Sequence, residues 1–226
     1  MADAFGQMLL DGTGLEIIER DDGYLDAVKP VYFTPVAHWP AVERRALRWV
    51  RGRVLDAGVG AGRVALELQR RGRSVVGIDV SPGAVEVARG RGVRDVHQLG
   101  LEDVNDSLGH FDTIAMFGNG FGLFGSPSRA KRLLRRLRPL ADRIVAASLD
   151  PATRDPAHLA YQEQNRKRGR MPGQLRLRVR YHDLIGPWFD YLIVSPDEMA
   201  TILEGTQWRI HRLLEGGTGY YVAILG

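Results

Sequence analysis

An α/β fold, with a mostly parallel, doubly wound seven-stranded sheet and an antiparallel strand near its C-terminal end, is the fold class that the sequence predicts. Two observations carry the expectation. Residues 54–79, VLDAGVGAGRVALELQRRGRSVVGID, read as a buried strand, a glycine turn, an amphipathic helix and a second strand, which is one βαβ unit. Downstream, short apolar runs alternate with amphipathic helical stretches as far as Leu149, and then give way to alternating runs joined by turn residues.

Each element has a local cause. The first strand covers residues 53–57, and the helix after the turn runs from about 61 to 71. The second strand, residues 74–78, is β-branched at Val75, Val76 and Ile78 and is followed by Asp79. Ser81 before Pro82 is an N-cap with proline at the first helical position, opening a helix to about residue 89. Residues 95–101, 111–117 and 143–149 supply the third, fourth and fifth strands, and residues 128–141 a helix with Leu133, Leu134, Leu137 and Leu140 on its buried side. Residues 174–181 and 188–194 alternate in polarity around the turn-like Ile185-Gly186-Pro187 and read as an antiparallel pair. Ser195-Pro196-Asp197-Glu198 caps a helix to about residue 204, and residues 208–214 and 220–225 close the chain as strands. The expected organisation is an N-terminal segment, residues 1–50, ahead of a domain of residues 51–226 that carries a substrate-side insert at residues 151–194.

The glycine turn is where a ligand belongs. Gly58, Gly60 and Gly62 admit torsions closed to residues with a Cβ and let a ligand approach the backbone, while the helix that follows offers unpaired N–H groups. Asp79, at the end of the neighbouring strand, is placed to accept hydrogen bonds from a ribose 2′- and 3′-OH. An adenosine-type cofactor follows from these positions. Two details argue against a dinucleotide. Arg63 occupies the slot of the third glycine in G-x-G-x-x-G, and Asp56 sets a carboxylate where a diphosphate is repelled and an ammonium attracted.

This segment resembles the nucleotide-binding half of class I S-adenosylmethionine (SAM) dependent methyltransferases, whose first motif is a strand followed by D-x-G-x-G-x-G. Asp56, Gly58, Gly60 and Gly62 match its four defined positions, and the order of elements extends the resemblance from about residue 50 to 226. The resemblance implies a Rossmann-like sheet, SAM as cofactor, and cofactor contacts at Asp56, Gly58, Gly60, Gly62, Asp79 and Val80. After the third strand it implies adenine contacts from Leu101 and Glu102, although Gly100 stands where an acid is usual; the start of a short helix is an equal reading of Glu102. After the fourth strand it implies contact with the methionine moiety or the substrate from Gly118 and Asn119. Asn119-Gly120-Phe121 lacks both prolines of the Asp/Asn-Pro-Pro-aromatic motif of nucleobase and glutamine N-methyltransferases, which argues against those acceptors.

In small-molecule members the region before the first strand is often a helical lid, so Tyr24, Tyr32 and His38 are expected near the substrate, with a role as packing staples left open. Phe121 reads either as a substrate wall or as core. Tyr161 and Gln164, in the insert, are candidates to face the acceptor; the insert reads equally as a packing element or a homodimer contact. Methyl transfer is a direct displacement governed by alignment, and a proton acceptor is needed only for a protonated hydroxyl or amine. His38 and His158 are the candidate bases, and Asp150, after the fifth strand, a candidate to orient the acceptor.

Composition narrows the classes. With no cysteine among 226 residues, disulfides, thiolate zinc and a thiol nucleophile are excluded, and six scattered histidines without an H-x-x-x-H pair give no metal expectation. The apolar runs are too short to span a bilayer and the first residues lack a basic leader, so a cytoplasmic protein without membrane contact is expected. Only three of the 31 basic residues are lysines (Lys29, Lys131, Lys167), so the formal charge of +4 is arginine-borne. Arg129, Lys131, Arg132, Arg135, Arg136 and Arg138 cluster on one helix, and a second basic run extends from Arg166 to Arg180. A solvated helix face and a strand alternating arginine with Leu175, Leu177 and Val179 account for both without nucleic acid. Three classes stand at this point: a small-molecule methyltransferase, an RNA or protein methyltransferase using the arginine clusters, and a non-catalytic SAM-binding protein.

Overall fold

The β-branched runs of the sequence form the centre of the molecule. A computed structural model describes residues 3–12, 15–28, 31–152 and 155–226. Helix α1 (Ala4–Asp11), strands β1 (Glu16–Arg20) and β2 (Leu25–Val28) and helix α2 (Ala41–Ala46) come first. The βαβ unit follows as β3 (Arg53–Ala57), α3 (Arg63–Arg70) and β4 (Ser74–Asp79), continued by α4 (Pro82–Gly90), β5 (Val96–Gln98), β6 (Thr113–Met116), α5 (Pro127–Leu137) and β7 (Ile144–Leu149). Then come α6 (Pro156–Lys167), β8 (Gln174–Tyr181), β9 (Leu184–Ile185), β10 (Phe189–Leu192), α7 (Pro196–Leu203), β11 (Ile210–Glu215) and β12 (Tyr220–Leu225).

Seven strands form the main sheet in the order β11-β12-β7-β6-β3-β4-β5. Strand β12 alone runs against its neighbours, β7 and β11, as the mostly parallel expectation requires. The strand order reverses between β3 and β6, both parallel and hydrogen-bonded to one another, so a crevice opens beyond their C-terminal ends. Both faces of the sheet are covered. Leu55, Ile114, Phe124, Leu134 and Trp208 pack on one side, and Val54, Val75, Leu68, Ala88 and Val222 on the other.

The caps read from sequence are made. Ser81 Oγ accepts from Ala84 N–H at 3.0 Å, and Ser195 and Glu198 exchange both bonds of a capping box. Helix α5 opens earlier than the sequence suggests, because Ser126 caps it and Pro127 takes its first position. The third strand shrinks to Val96–Gln98, since β5 is an edge strand with only β4 to pair with.

The N-terminal segment departs from the helical expectation. After α1 the chain forms a hairpin, and β1 pairs antiparallel with β8 of the insert, so β10-β8-β1-β2, with β9 also on β8, make a second sheet. The cause lies in β8. Its alternating arginines need acids across the strand, and Glu19 on β1 accepts from Arg178 at 2.6 and 2.9 Å and also from Arg180. Those two guanidiniums hold the Glu19 carboxyl down to about 2, first through the Arg178 hydrogen bonds. Ile17 and Ile18 supply the β-branched positions that favour the strand.

Helix α1 docks on the N-terminus of α4. The Asp3 carboxylate caps α1 through Gly6 N–H at 2.8 Å and also accepts from Ser81 Oγ at 2.7 Å and Gly83 N–H at 3.0 Å. The two backbones touch at glycines: a Cβ on Gly83 would lie 2.6 Å from Gly6 Cα. Gly83→Ala is therefore expected to undock α1 at a cost of about 1–3 kcal/mol. Hydrogen exchange should show protection lost over residues 4–11 and kept in β3 and β4; unchanged protection in α1 would refute the contact's importance.

Candidate functional site

The turn after β3 is strapped to β4. Gly58 and Val59 both donate their N–H to the Ile78 carbonyl at 2.9 Å, and Gly60 N–H donates to Asp79 Oδ2 at 3.0 Å. All three motif glycines have positive φ, at 76°, 52° and 79°. Gly62 is also sterically fixed, because a Cβ there would meet Val93 Cγ2 at 2.7 Å. Asp79 Oδ1 accepts from Ser81 N–H at 3.0 Å. Burial raises the Asp79 pKa while these two N–H groups pull it down. A carboxylate has about four acceptor positions, so two remain for a pair of hydroxyls.

Asp56 is enclosed at 2 % exposure, and its Oδ2 has no hydrogen-bond partner. Burial pushes its carboxyl up to about 7; the Ala65 N–H and the Arg63 charge oppose that rise and the Asp79 charge adds to it. A second buried acceptor without a partner is Asn119 Oδ1, just beyond β6. Two orphaned acceptors at the ends of adjacent strands, beside an acid able to hold a ribose, suit the ammonium and nucleoside ends of SAM. On that chemistry the residues present fit the cofactor: Asp56 and Asn119 would hold the amino-acid end and Asp79 the ribose.

One carboxylate organises the other side of the turn. Glu43 on α2 is 1 % exposed; its Oε2 accepts from Arg63 Nη1 at 3.0 Å, and its Oε1 from Gly118 N–H at 2.8 Å and Tyr220 OH at 2.6 Å. The Arg63 guanidinium lies 4.3 Å over the Trp39 ring. Asn119, held at φ 64°, donates its N–H to Tyr220 OH at 3.3 Å. The side chain that replaces the third dinucleotide glycine is thus a strut.

From the hairpin side, Tyr32 lies against the turn, 3.5 Å from where a Gly60 Cβ would stand, and donates its OH to Glu16 Oε2 at 2.9 Å. Arg91 fastens this segment to the turn by donating to the Tyr32 carbonyl at 3.4 Å and to the Ala61 carbonyl. Leu123 faces Gly58, and Tyr191 donates its OH to the Asn119 carbonyl at 2.7 Å.

Asp56, Gly58, Gly60, Gly62, Asp79, Gly118, Asn119 and Tyr32 therefore converge. Val80 follows Asp79 with 70 % of its surface exposed, a flat apolar contact on the rim. Leu101 is buried, and Glu102 is exposed with its carboxylate on Arg129 Nη2 at 2.6 Å. Asp150 accepts from Ala152 N–H at 2.8 Å and abuts Gly219, so it shapes the start of the insert. His38 is exposed at the end of a single helical turn, and Gln164 is exposed on α6.

Four expected substrate or catalytic residues lie elsewhere. Phe121 is fully buried and packs edge-on against Phe124, because its loop turns inward under the sheet. Tyr24, Tyr161 and His158 surround Arg20 at the far end of β1, four residues and roughly 13 Å of strand from Glu16. The Arg20 guanidinium sits 4.7 Å from the Tyr24 ring and 4.2 Å from that of Tyr161, and pairs with Asp22 at 2.8 Å. It also meets His158 Nδ1 at 2.9 Å, which makes that nitrogen an acceptor and places the ring proton on Nε2. Tyr161 donates its OH to Asp21 at 2.7 Å. These groups clip α6 to the hairpin turn.

Sequence reasoning missed Glu43, Tyr220, Tyr191 and Glu16, which come from four distant segments. Arg63 carried the only signal, as a bulky departure from a glycine motif. Among the described residues no three His, Asp or Glu side chains converge as metal ligands.

Comparison with known proteins agrees with this geometry. Residues 54–141 match a family model described as a methyltransferase domain. The chain is 39 % identical over 66 residues to magnesium-protoporphyrin O-methyltransferase of Rhodobacter capsulatus, covering 27 % of this chain and 30 % of that protein. It is 37 % identical over 78 residues to ubiquinone biosynthesis O-methyltransferase of Azorhizobium caulinodans, covering 32 % and 31 %. The chain thus spans less than a third of the length of the curated relatives that it matches. A SAM-dependent methyltransferase from Bacteroides fragilis, solved with S-adenosyl-L-homocysteine, superposes with a TM-score of 0.79 at 27 % identity, over 99 % of this chain and 92 % of that one.

Two measurements test the site. In the free protein, the stability that neutral Asp56 confers is full below its ordinary value of 3.8 and is lost as pH rises through about 7. An ammonium reverses the preference, so calorimetric affinity for S-adenosylhomocysteine should weaken by up to about tenfold per pH unit below 7. Asp56→Asn should flatten this slope, and an equal slope in the variant would remove Asp56 as its source. Glu43→Ala should lower stability by about 3–5 kcal/mol in denaturant titration, because it leaves the Arg63 charge enclosed without its partner; a loss below about 1 kcal/mol would refute the strut.

Proposed function

We propose that this chain is a class I SAM-dependent methyltransferase that transfers a methyl group by direct displacement to a small-molecule acceptor. The observation that carries the reading is the turn itself: a ribose-competent Asp79 bonded to Gly60 N–H, with the unpartnered acceptors of Asp56 and Asn119 beside it. SAM supplies an electrophilic methyl on a sulfonium. The chain's part is alignment, since reaction needs nucleophile, methyl carbon and sulfur in line. Gly118 and Asn119, fixed through Glu43 and Tyr220, set the floor at the methyl end, and Tyr32 and Tyr191 close the crevice and limit water.

A metabolite-sized acceptor is supported by the lid, because the second sheet covers the mouth of the crevice. The curated relatives named above are O-methyltransferases of magnesium-protoporphyrin and of ubiquinone biosynthesis, which agrees in class while leaving this chain's acceptor its own. Methylation of RNA or protein through the arginine clusters is less well supported. Arg176 pairs with Asp190, Arg178 and Arg180 with Glu19, and Arg166 and Lys167 with Glu163, so the basic run from Arg166 to Arg180 is largely paired locally, and on α5 Arg129 pairs with Glu102. No helix among the described residues is long and apolar enough to cross a membrane.

Calorimetric titration with SAM, S-adenosylhomocysteine and NAD tests the reading. Micromolar binding of the first two and none of NAD is expected. Asp79→Ala should weaken both by at least about tenfold through loss of charge-assisted hydrogen bonds. Binding of NAD alone would replace a methyltransferase by a dehydrogenase, and S-adenosylhomocysteine formation with any acceptor would exclude a purely cofactor-binding role.

A further inference from the structure

The hairpin brings a third acid to the crevice. Glu16, the first residue of β1, is 6 % exposed, and its Oε2 takes the Tyr32 hydroxyl proton in a 2.9 Å hydrogen bond. No described residue donates to its other oxygen, which is not among the fully enclosed atoms. Tyr32 lies over Gly60, and Tyr191 lies against Gly122 and donates its OH to the Asn119 carbonyl. Burial and the Glu16 charge together push both phenols up, so both rings lie within electrostatic reach of the carboxylate, with Tyr32 in direct contact. Burial also raises the Glu16 carboxyl above 4.5, with the Tyr32 hydrogen bond opposing, which makes it a stronger proton acceptor.

The surrounding charges leave this oxygen one class of partner. Asp56 and Asp79 already face the cofactor's positions; Arg63 is neutralised by Glu43, and the Arg91 guanidinium, which keeps its charge, is turned to the Tyr32 and Ala61 carbonyls. An acidic, partly dry mouth repels a carboxylate and attracts a protic donor. Resting on the SAM reading above, we propose that Glu16 is the catalytic proton acceptor of this site and that the methyl acceptor is an amine or a hydroxyl rather than a carboxylate. The acceptor's nitrogen or oxygen lone pair forms the new bond to the methyl carbon. The carbon–sulfur bond breaks with its pair left on sulfur, and the N–H or O–H proton passes to Glu16 Oε1 and on to water.

The test uses the full chain saturated with S-adenosylhomocysteine and titrated with two probes of equal size and opposite charge, benzylamine and benzoate. Benzylamine is expected to bind at least about tenfold more tightly. Glu16→Gln, which keeps the hydrogen bond from Tyr32, should bring the two within about twofold at unchanged S-adenosylhomocysteine affinity, and Glu16→Asp should retain the preference. Equal binding, a preference for benzoate, a preference that survives Glu16→Gln, or no binding of either at tens of millimolar would overturn the proposal. The wild-type comparison decides even where Glu16→Gln does not fold. Absence of S-adenosylhomocysteine binding in the first step would instead remove the cofactor reading on which it rests.

Discussion

The carboxylate of Glu43 fixes the geometry on which the rest of the site depends. Through two oxygens it joins α2, the first residue of α3, the loop after β6 and the last strand. An enclosed carboxylate is costly unless its lone pairs are satisfied, and here a guanidinium, a backbone N–H and a phenol satisfy them together. Removal of one partner leaves the others enclosed and unpaired, so the arrangement behaves as a unit. The same contact explains why an arginine follows the glycine turn. Arg63 cannot lie beside a diphosphate as a third glycine would, and it serves as the counter-ion of a residue from outside the domain's core.

The second sheet does comparable work at the opposite edge of the crevice. Ion pairs between Glu19 and the arginines of β8 hold the hairpin to the insert, and the Arg20 clip adds α6. This places Tyr32, with Glu16 bonded to it, against Gly60 of a turn that comes later in the chain. Packing of the hairpin and placement of its acid are therefore one fact: the strand that Glu19 holds to β8 also carries Glu16 to Tyr32. Helix α1 completes the arrangement at the N-terminus of α4, beside the loop that begins with Asp79.

Much of the sheet and the cofactor side were legible because their causes are local. The alternation of strand and helix, the caps at Ser81 and Ser195, and the run from Asp56 to Asp79 are set by neighbours within a few residues. Positive φ at Gly58, Gly60 and Gly62 follows from one short turn. The acceptor side stayed open where one pattern has two outcomes. Aromatic residues in a lid and aromatic residues in a clip share the same sequence, so Tyr24 and Tyr161 look alike whether they face a ligand or sandwich Arg20. Phe121 lies in a glycine-rich loop that reads either as a substrate wall or as core, and burial beneath the sheet decides for core.

By itself the sequence determined the βαβ unit, the cofactor class and the position of Asp79 beside the glycine turn, since each rests on contacts between residues near in the chain. Tertiary structure alone decided that Glu43, Arg63 and Tyr220 share one buried point, that residues 16–28 join the insert in a sheet, and that Glu16 meets Tyr32 beside Gly60. Those outcomes depend on burial and on charge pairing between distant segments. Neither quantity has a value until the segments are packed together, because the energy of a carboxylate is set by what encloses it.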